Sequence, residues 1–291
     1  MNNQGYSYQF SIFRIYLGFY SAVVLMLSLK SSTILWSNEG FIPNARLNLT
    51  FGVFPNVLNH FDSPNQITLF LTGLIVLSIL FSLGIYRRIV AILLWYGLTC
   101  LLNRNNLIIN PSIHFNGWLL LCCSIIPSGE PWALSKQREN WSVPSITFFC
   151  GWILFSSGHF LSGFDKLFSE SWIDGTAFQK IIDGPMGSSF GARMASLLPD
   201  WLMHALTWTV IAAEMICLPL AIFSRTKKWA WLICTLLQLN ILVFLSVPVI
   251  STGMLAFHLF LFDPKWFNVE EFFNKLQHKV QSILKPLTHA Q

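Results

Sequence analysis

His159-Phe-Leu-Ser-Gly163-Phe-Asp-Lys166-Leu-Phe-Ser-Glu-Ser-Trp172-Ile-Asp174-Gly175 closes an apolar run of membrane-spanning length and delivers a lysine to its mouth. An ammonium ion held at that depth is costly, so such a lysine readily gives up its charge and can then act as a base. The surroundings of this stretch are equally apolar. Of 291 residues, 54% are hydrophobic and 11% charged, where a soluble domain carries about 25% charged residues. The apolar residues gather in runs of roughly 15–23, the length a helix needs to cross a bilayer. The predicted fold class is therefore all-α: a polytopic integral membrane helical bundle.

Eight membrane segments are predicted, at residues 10–29, 67–86, 89–103, 107–127, 145–164, 201–223, 229–247 and 249–262. The second and third are joined by Arg87-Arg88, and the sixth and seventh by a turn holding Arg225, Lys227 and Lys228. The fourth ends at the helix stop Pro127-Ser-Gly-Glu-Pro131, followed by Lys136 and Arg138. Clustering of basic residues in these turns and in the tail (Lys265, Lys275, Lys279, Lys285) places both termini in the cytoplasm. Loops 30–66 and 165–200 then face outward. Their aromatic content, including Trp36, Phe51, Phe54, Trp172 and Phe178, predicts that they fold back on the bundle as lids or interfacial segments. Residues 1–266 read as one transmembrane domain. Residues 267–291, with Phe272, Leu276, Val280, Ile283 and Leu287 at helical spacing, read as an amphipathic interfacial tail.

The N-terminus lacks a basic n-region and no small-residue cleavage site follows the first run, so no cleavable signal peptide is expected. Six cysteines fall in apolar segments without CxxC spacing and read as packing residues, with neither a disulfide framework nor a metal site expected. The net charge of +5 is explained by membrane sidedness and calls for no nucleic-acid partner.

Ionisable residues inside the predicted spans are Arg14, His159, Glu214 and His258, with His204 a further candidate and Lys166 at a margin. Such groups face the bundle interior and pair with one another. Two readings of Glu214 stand: a buried ion pair with Arg14 that fixes register, or a carboxylate that shapes the field around Lys166 or binds a substrate group. His159 precedes Lys166 by two helical turns and shares its face if the helix persists; it is either an interhelical contact or part of the same site. His114 beside Asn116 could reach the same pocket, and Gln238 reads as an interhelical hydrogen-bond partner. For Lys166, the structural reading is a helix-end anchor whose ammonium snorkels to headgroups.

The pattern around Lys166 resembles the membrane core of the vitamin K-dependent γ-glutamyl carboxylases, the HTTM (horizontally transferred transmembrane) family. The residues that carry the resemblance are Ser162-Gly163-Phe164-Asp165-Lys166-Leu167, then Trp172-Ile-Asp174-Gly175. In register with them stand Phe13-Arg14-Ile-Tyr-Leu-Gly18-Phe19, Glu39-Gly40-Phe-Ile-Pro43, Glu214 and Gly253-Met254. The resemblance implies that Lys166 deprotonates a vitamin K-type hydroquinone. The anion then reacts with oxygen, the resulting alkoxide removes a γ-proton from a peptide glutamate, and the carbanion captures carbon dioxide. It also implies catalytic roles for Lys166, His159 and Glu214, with His114, Arg14, Trp172, Asp174 and Gln238 near the site. This sequence departs from the family at His159, where a tyrosine is usual, and at Gln238, where a histidine is frequent. The carboxylases carry a sizeable soluble domain beyond the membrane core, whereas 25 residues follow Trp266 here. In that respect the chain is similar to short stand-alone bacterial members, of the sporulation-delaying protein B type, that mature secreted toxin peptides with a small partner protein.

The expected function is a membrane-embedded peptide-maturation enzyme, with the bilayer, a secreted peptide precursor and a small protein as partners. Its active face would lie outside a bacterial cytoplasmic membrane. The alternative is a non-catalytic docking, maturation or immunity factor. Transport ranks behind both, because no repeated half or pair of broken helices is visible.

Overall fold

The computed structural model describes residues 4–108 and 111–267; the tail expected at 267–291 lies almost wholly outside the described residues. Each of the eight predicted segments forms a helix: α1 (Gln4–Ser28), α3 (Pro64–Leu83), α4 (Arg87–Arg104), α5 (Pro111–Ile125), α6 (Ser145–Lys166), α10 (Asp200–Ile222), α11 (Lys227–Phe244) and α12 (Pro248–Leu261). Four short helices complete the series: α2 (Ser32–Trp36), and α7 (Glu170–Ile173), α8 (Ala177–Asp183) and α9 (Ser189–Ala195) between α6 and α10. The described residues contain no β-strand beyond one isolated bridge, Gly187 with Leu245.

Among the described residues, five helical stretches are long and apolar enough to cross a membrane: Tyr6–Trp36, Pro64–Leu83, Ser145–Lys166, Asp200–Ile222 and Lys227–Phe244. Helix α12 is apolar but shorter, α5 has 15 residues, and α4 carries Arg87, Arg88 and Arg104. The outer faces are apolar: Phe19, Leu69, Ile89, Ile146, Phe149, Trp208 and Leu236 are all exposed. An apolar exterior around an apolar interior is what a lipid solvent selects.

Local sequence sets the helix ends. Ser63-Pro64-Asn-Gln66 opens α3 with proline in the first turn, and the Gln66 side chain accepts from the Ser63 amide at 3.1 Å. Gly84 closes α3 in the left-handed region at φ +74°, where its amide and that of Ile85 return to the last carbonyls. Helix α1 packs on α3 and α12, α5 on α4 and α12, and α6 on α10, while α11 bridges α10 and α12. At Gly18 the α1 backbone approaches α3 so closely that a Cβ would lie 2.7 Å from Ser82 Cβ and 2.8 Å from the Ser78 carbonyl oxygen.

Arg14 does not pair with Glu214. Its Nε lies 3.3 Å from Glu130 Oε1, out of line for a hydrogen bond. The guanidinium donates instead to the carbonyls of Phe81 (3.1 Å), Ser82 and Trp132 (3.1 Å). Arg87 donates to the same Glu130 oxygen at 2.7 Å and to the carbonyls of Cys123, Ile126 and Pro127. One carboxylate thus serves two guanidiniums, and all three side chains are buried. The segment read only as a helix stop holds the charge that ties α1, the α3–α4 hairpin and the end of α5 together. Arg87, counted above among the basic residues of an inner turn, is part of this interior.

Loop 30–66 folds back on the far end of α4, as its aromatic residues predict. Trp36 Nε1 donates to the Leu101 carbonyl (3.1 Å), Asn56 Nδ2 to that of Cys100 (2.9 Å), and Tyr96 Oη to that of Pro55 (2.9 Å). Arg104 donates to the Ile42 carbonyl at 2.7 Å and reaches Asp62 at 3.5 Å.

Removing a partner from a buried charge cluster leaves the remaining ions uncompensated. Glu130→Ala is expected to cost about 3–5 kcal/mol, whereas Asp62→Ala, at a longer and partly solvated pair, costs about 1 kcal/mol or less. Unfolding of the two variants followed in detergent micelles checks the contrast; equal losses would refute it.

Candidate functional site

Helix α6 persists through Lys166, so the two-turn spacing from His159 is helical throughout. Across from its last two turns stands Glu214, in the middle of α10. Lys166 Nζ donates to Glu214 Oε2 at 2.6 Å, to Ser162 Oγ at 2.8 Å and to the Ser162 carbonyl at 3.3 Å. Ser162 Oγ in turn approaches Glu214 Oε1 at 3.3 Å. The two charged side chains retain only 18% and 12% exposure, so the pair sits in a largely dry environment.

The helices can come this close because residue 163 is glycine. A Cβ there would lie 3.0 Å from Glu214 Cβ and 3.0 Å from Met215 Cγ. The Ser162-Gly163 dipeptide therefore contributes both an oxygen ligand for the lysine and the gap that admits the glutamate.

Trp172, on α7, covers the pair from the lid, with Lys166 Nζ 5.0 Å from the ring centroid. Such a cation–π contact favours a charged lysine by about 0.5–1 kcal/mol or more as solvent is excluded. The lid is pinned to α10 and α11. Thr207 Oγ1 donates to the Gly175 carbonyl (2.8 Å) and accepts from the Phe178 amide (3.2 Å), and Trp208 Nε1 donates to the Ile173 carbonyl (3.1 Å). The amides of Ser188 and Ser246 pair with the carbonyls of Phe244 (3.0 Å) and Met186 (2.7 Å).

The other sequence candidates fall in different places. His159 lies against Phe155 at a centroid distance of 4.7 Å and faces His258 at 6.3 Å; the Nε2 atoms of both histidines are buried without a hydrogen-bond partner among the described residues. His258 Nδ1 shares a 2.9 Å hydrogen bond with Thr235 Oγ1. Gln238 is buried on α11, and its Nε2 has no partner among the described residues. Asp174 is exposed and turned away: its Oδ1 accepts from Thr176 Oγ1 (2.6 Å) and from the Thr176 amide (2.8 Å). Those bonds hold the Asp174 pKa below the ordinary aspartate value. Its role is a turn ahead of α8. His114 is exposed on α5 and forms no hydrogen bond among the described residues, and Arg14 belongs to the Glu130 cluster. The structure thus brings together Lys166, Glu214 and Trp172, sets His159 on the same helix two turns away, and leaves Arg14, His114 and Asp174 elsewhere.

Sequence reasoning missed the ligand role of Ser162 and the facing of His258 with His159. For Ser162 a signal existed, since it stands one turn before Lys166 on one helix face. For His258 there was none, because only packing of α12 on α6 creates the neighbourhood.

Comparison of the chain with protein-family models, with characterised proteins and with solved structures found no match to any of them.

If the two charges stabilise one another, single variants Lys166→Met and Glu214→Gln should each lose more stability than their effects in combination imply. A double-mutant cycle on thermal unfolding is expected to return a coupling of about 1–3 kcal/mol; additive effects would remove the pair's energetic role. Gly163→Ala should cost about 1–3 kcal/mol by forcing α6 and α10 apart, measured in the same assay.

Proposed function

We propose that this chain is an integral membrane protein of a bacterial cytoplasmic membrane that matures a secreted peptide, with Lys166 as its base. In this reading all eight long helices cross or enter the bilayer, both termini are cytoplasmic, and the Lys166 face is periplasmic or extracellular. Support comes from the resemblance carried by Ser162-Gly163-Phe-Asp-Lys166-Leu167. The observation that carries the reading is the 2.6 Å contact between Lys166 and Glu214 beneath Trp172.

That contact gives the lysine somewhere to send a proton. Lys166 passes one to Glu214, and the freed amine lone pair takes a proton from an acidic hydroxyl of the bound substrate. Arginine could not do this, because it stays protonated.

A reduced quinone, with oxygen and carbon dioxide, is the co-substrate set the resemblance suggests. Lys166 Nζ is engaged by Ser162 and Glu214 beneath the Trp172 ring, an arrangement that does not present it to a quinol ring. The base chemistry is assigned to the chain's own residues alone.

One observation favours the non-catalytic alternative, a docking or immunity factor for the same peptide. The ammonium hydrogens of Lys166 are directed to Ser162 O, Ser162 Oγ and Glu214, which suits a lysine that fastens α6 to α10. The two readings separate at Lys166→Arg. Co-expression with a secreted peptide precursor encoded beside it, followed by mass spectrometry of the peptide, gives the readout. A base predicts loss of the modified peptide by about a hundredfold or more in both Lys166→Arg and Lys166→Ala. Normal maturation with Lys166→Arg would reject the base and support docking.

A further inference from the structure

A cavity of about 370 Å³ lies between α1, α2, the end of α4, the start of α5 and the first residue pair of α12. It shares no residue with α6 or α10, and so stands apart from Lys166 and its partners. Its size falls in the range of about 300–1,000 Å³ typical of small-molecule sites. Val24, Leu25, Leu98, Leu101 and Ile113 supply apolar wall, and Leu27, 68% exposed, forms part of the rim. The opening therefore meets the apolar exterior of the bundle, the side that lipid occupies.

The polar groups of the wall are nearly all consumed internally. Tyr20 Oη donates to the Val249 carbonyl (2.9 Å), and Ser21 and Ser28 to carbonyls one turn back (both 2.8 Å). Trp36 Nε1 donates to the Leu101 carbonyl. Ser31 lies exposed at the rim, and Asn116 is the buried exception: it lines the cavity, is 5% exposed, and its Oδ1 has no hydrogen-bond partner among the described residues. A carboxamide offers one acceptor and two donors, and by a half-turn presents either to the cavity. An amide left unpaired in apolar surroundings is costly.

Among the described residues no charged side chain lines the cavity, so an ionic headgroup brought into it would lose its hydration and find no counter-charge there. We infer that this cavity is a binding site for an uncharged long-chain lipid bearing one hydroxyl or carbonyl head, with the head hydrogen-bonded to Asn116 and the chain leaving past Leu27 into the bilayer. The site is independent of the proposed peptide chemistry and stands or falls without it.

The test uses the full chain in lipid nanodiscs and a diazirine-bearing long-chain alcohol as the probe, with adducts mapped by peptide mass spectrometry. Adducts are expected to concentrate within residues 20–36 and 98–116, to be competed by the unlabelled alcohol, and to resist the matching alkyl sulfate and alkyl trimethylammonium. Asn116→Leu should lower labelling about fivefold, the equivalent of one net hydrogen bond. Val24→Phe, which fills the cavity without touching Asn116, should lower it at least as much and decides the matter if Asn116→Leu does not fold. Labelling spread evenly over the lipid-facing helices, equal competition by the charged amphiphiles, or labelling unchanged in folded variants would each overturn the assignment.

Discussion

An ion in an apolar bundle must find its opposite, and two carboxylates organise this molecule by that requirement. Glu130 sits between the guanidiniums of Arg14 and Arg87, and Glu214 sits on the ammonium of Lys166. The first cluster is sealed and held by backbone carbonyls at the end of α3 and in and beyond the last turn of α5, with only Arg14 Nε lacking a hydrogen bond among the described residues, which suits a fixed joint. The second is smaller, keeps some exposure and lies under a lid. Burial of charge is expensive in both, but only the second leaves a path by which another molecule could approach.

The helical layout was legible because lipid-facing and core-facing positions are alike apolar. Runs such as 145–164 and 201–223 announce themselves and end within a few residues of Ser145–Lys166 and Asp200–Ile222. Charge partners were not legible. Arg14 and Glu214 were both recognisable as buried, and pairing them was economical, yet Arg14 finds Glu130 in a stretch that reads as nothing more than Pro- and Gly-rich punctuation. A linear sequence states that a buried charge needs a partner without saying which one; only the approach of α1 to α3 at Gly18 decides it.

The same distinction governs the candidate site. Lys166, Glu214, His159 and Trp172 each stood out by residue type and position, and the open choice for Glu214 resolves in favour of the lysine. Asp174 and His114 shared the right end of the bundle but not the right direction. Asp174 is drawn off by Thr176, and His114 points away on an exposed face of α5. Position along a helix fixes depth, while orientation depends on neighbours that the sequence does not display.

The sharing of Glu130 also bears on how the protein is made. Arg14 leaves the ribosome 118 residues ahead of Trp132, whose carbonyl it binds, and nearly as far ahead of its counter-ion. Until that stretch is made, Arg14 has the carbonyls of Phe81 and Ser82 within its reach in the sequence but not its counter-ion. The first helix thus draws its counter-ion from a turn made much later in the chain, and an amino-terminal fragment ending before Glu130 lacks the carboxylate that Arg14 and Arg87 share.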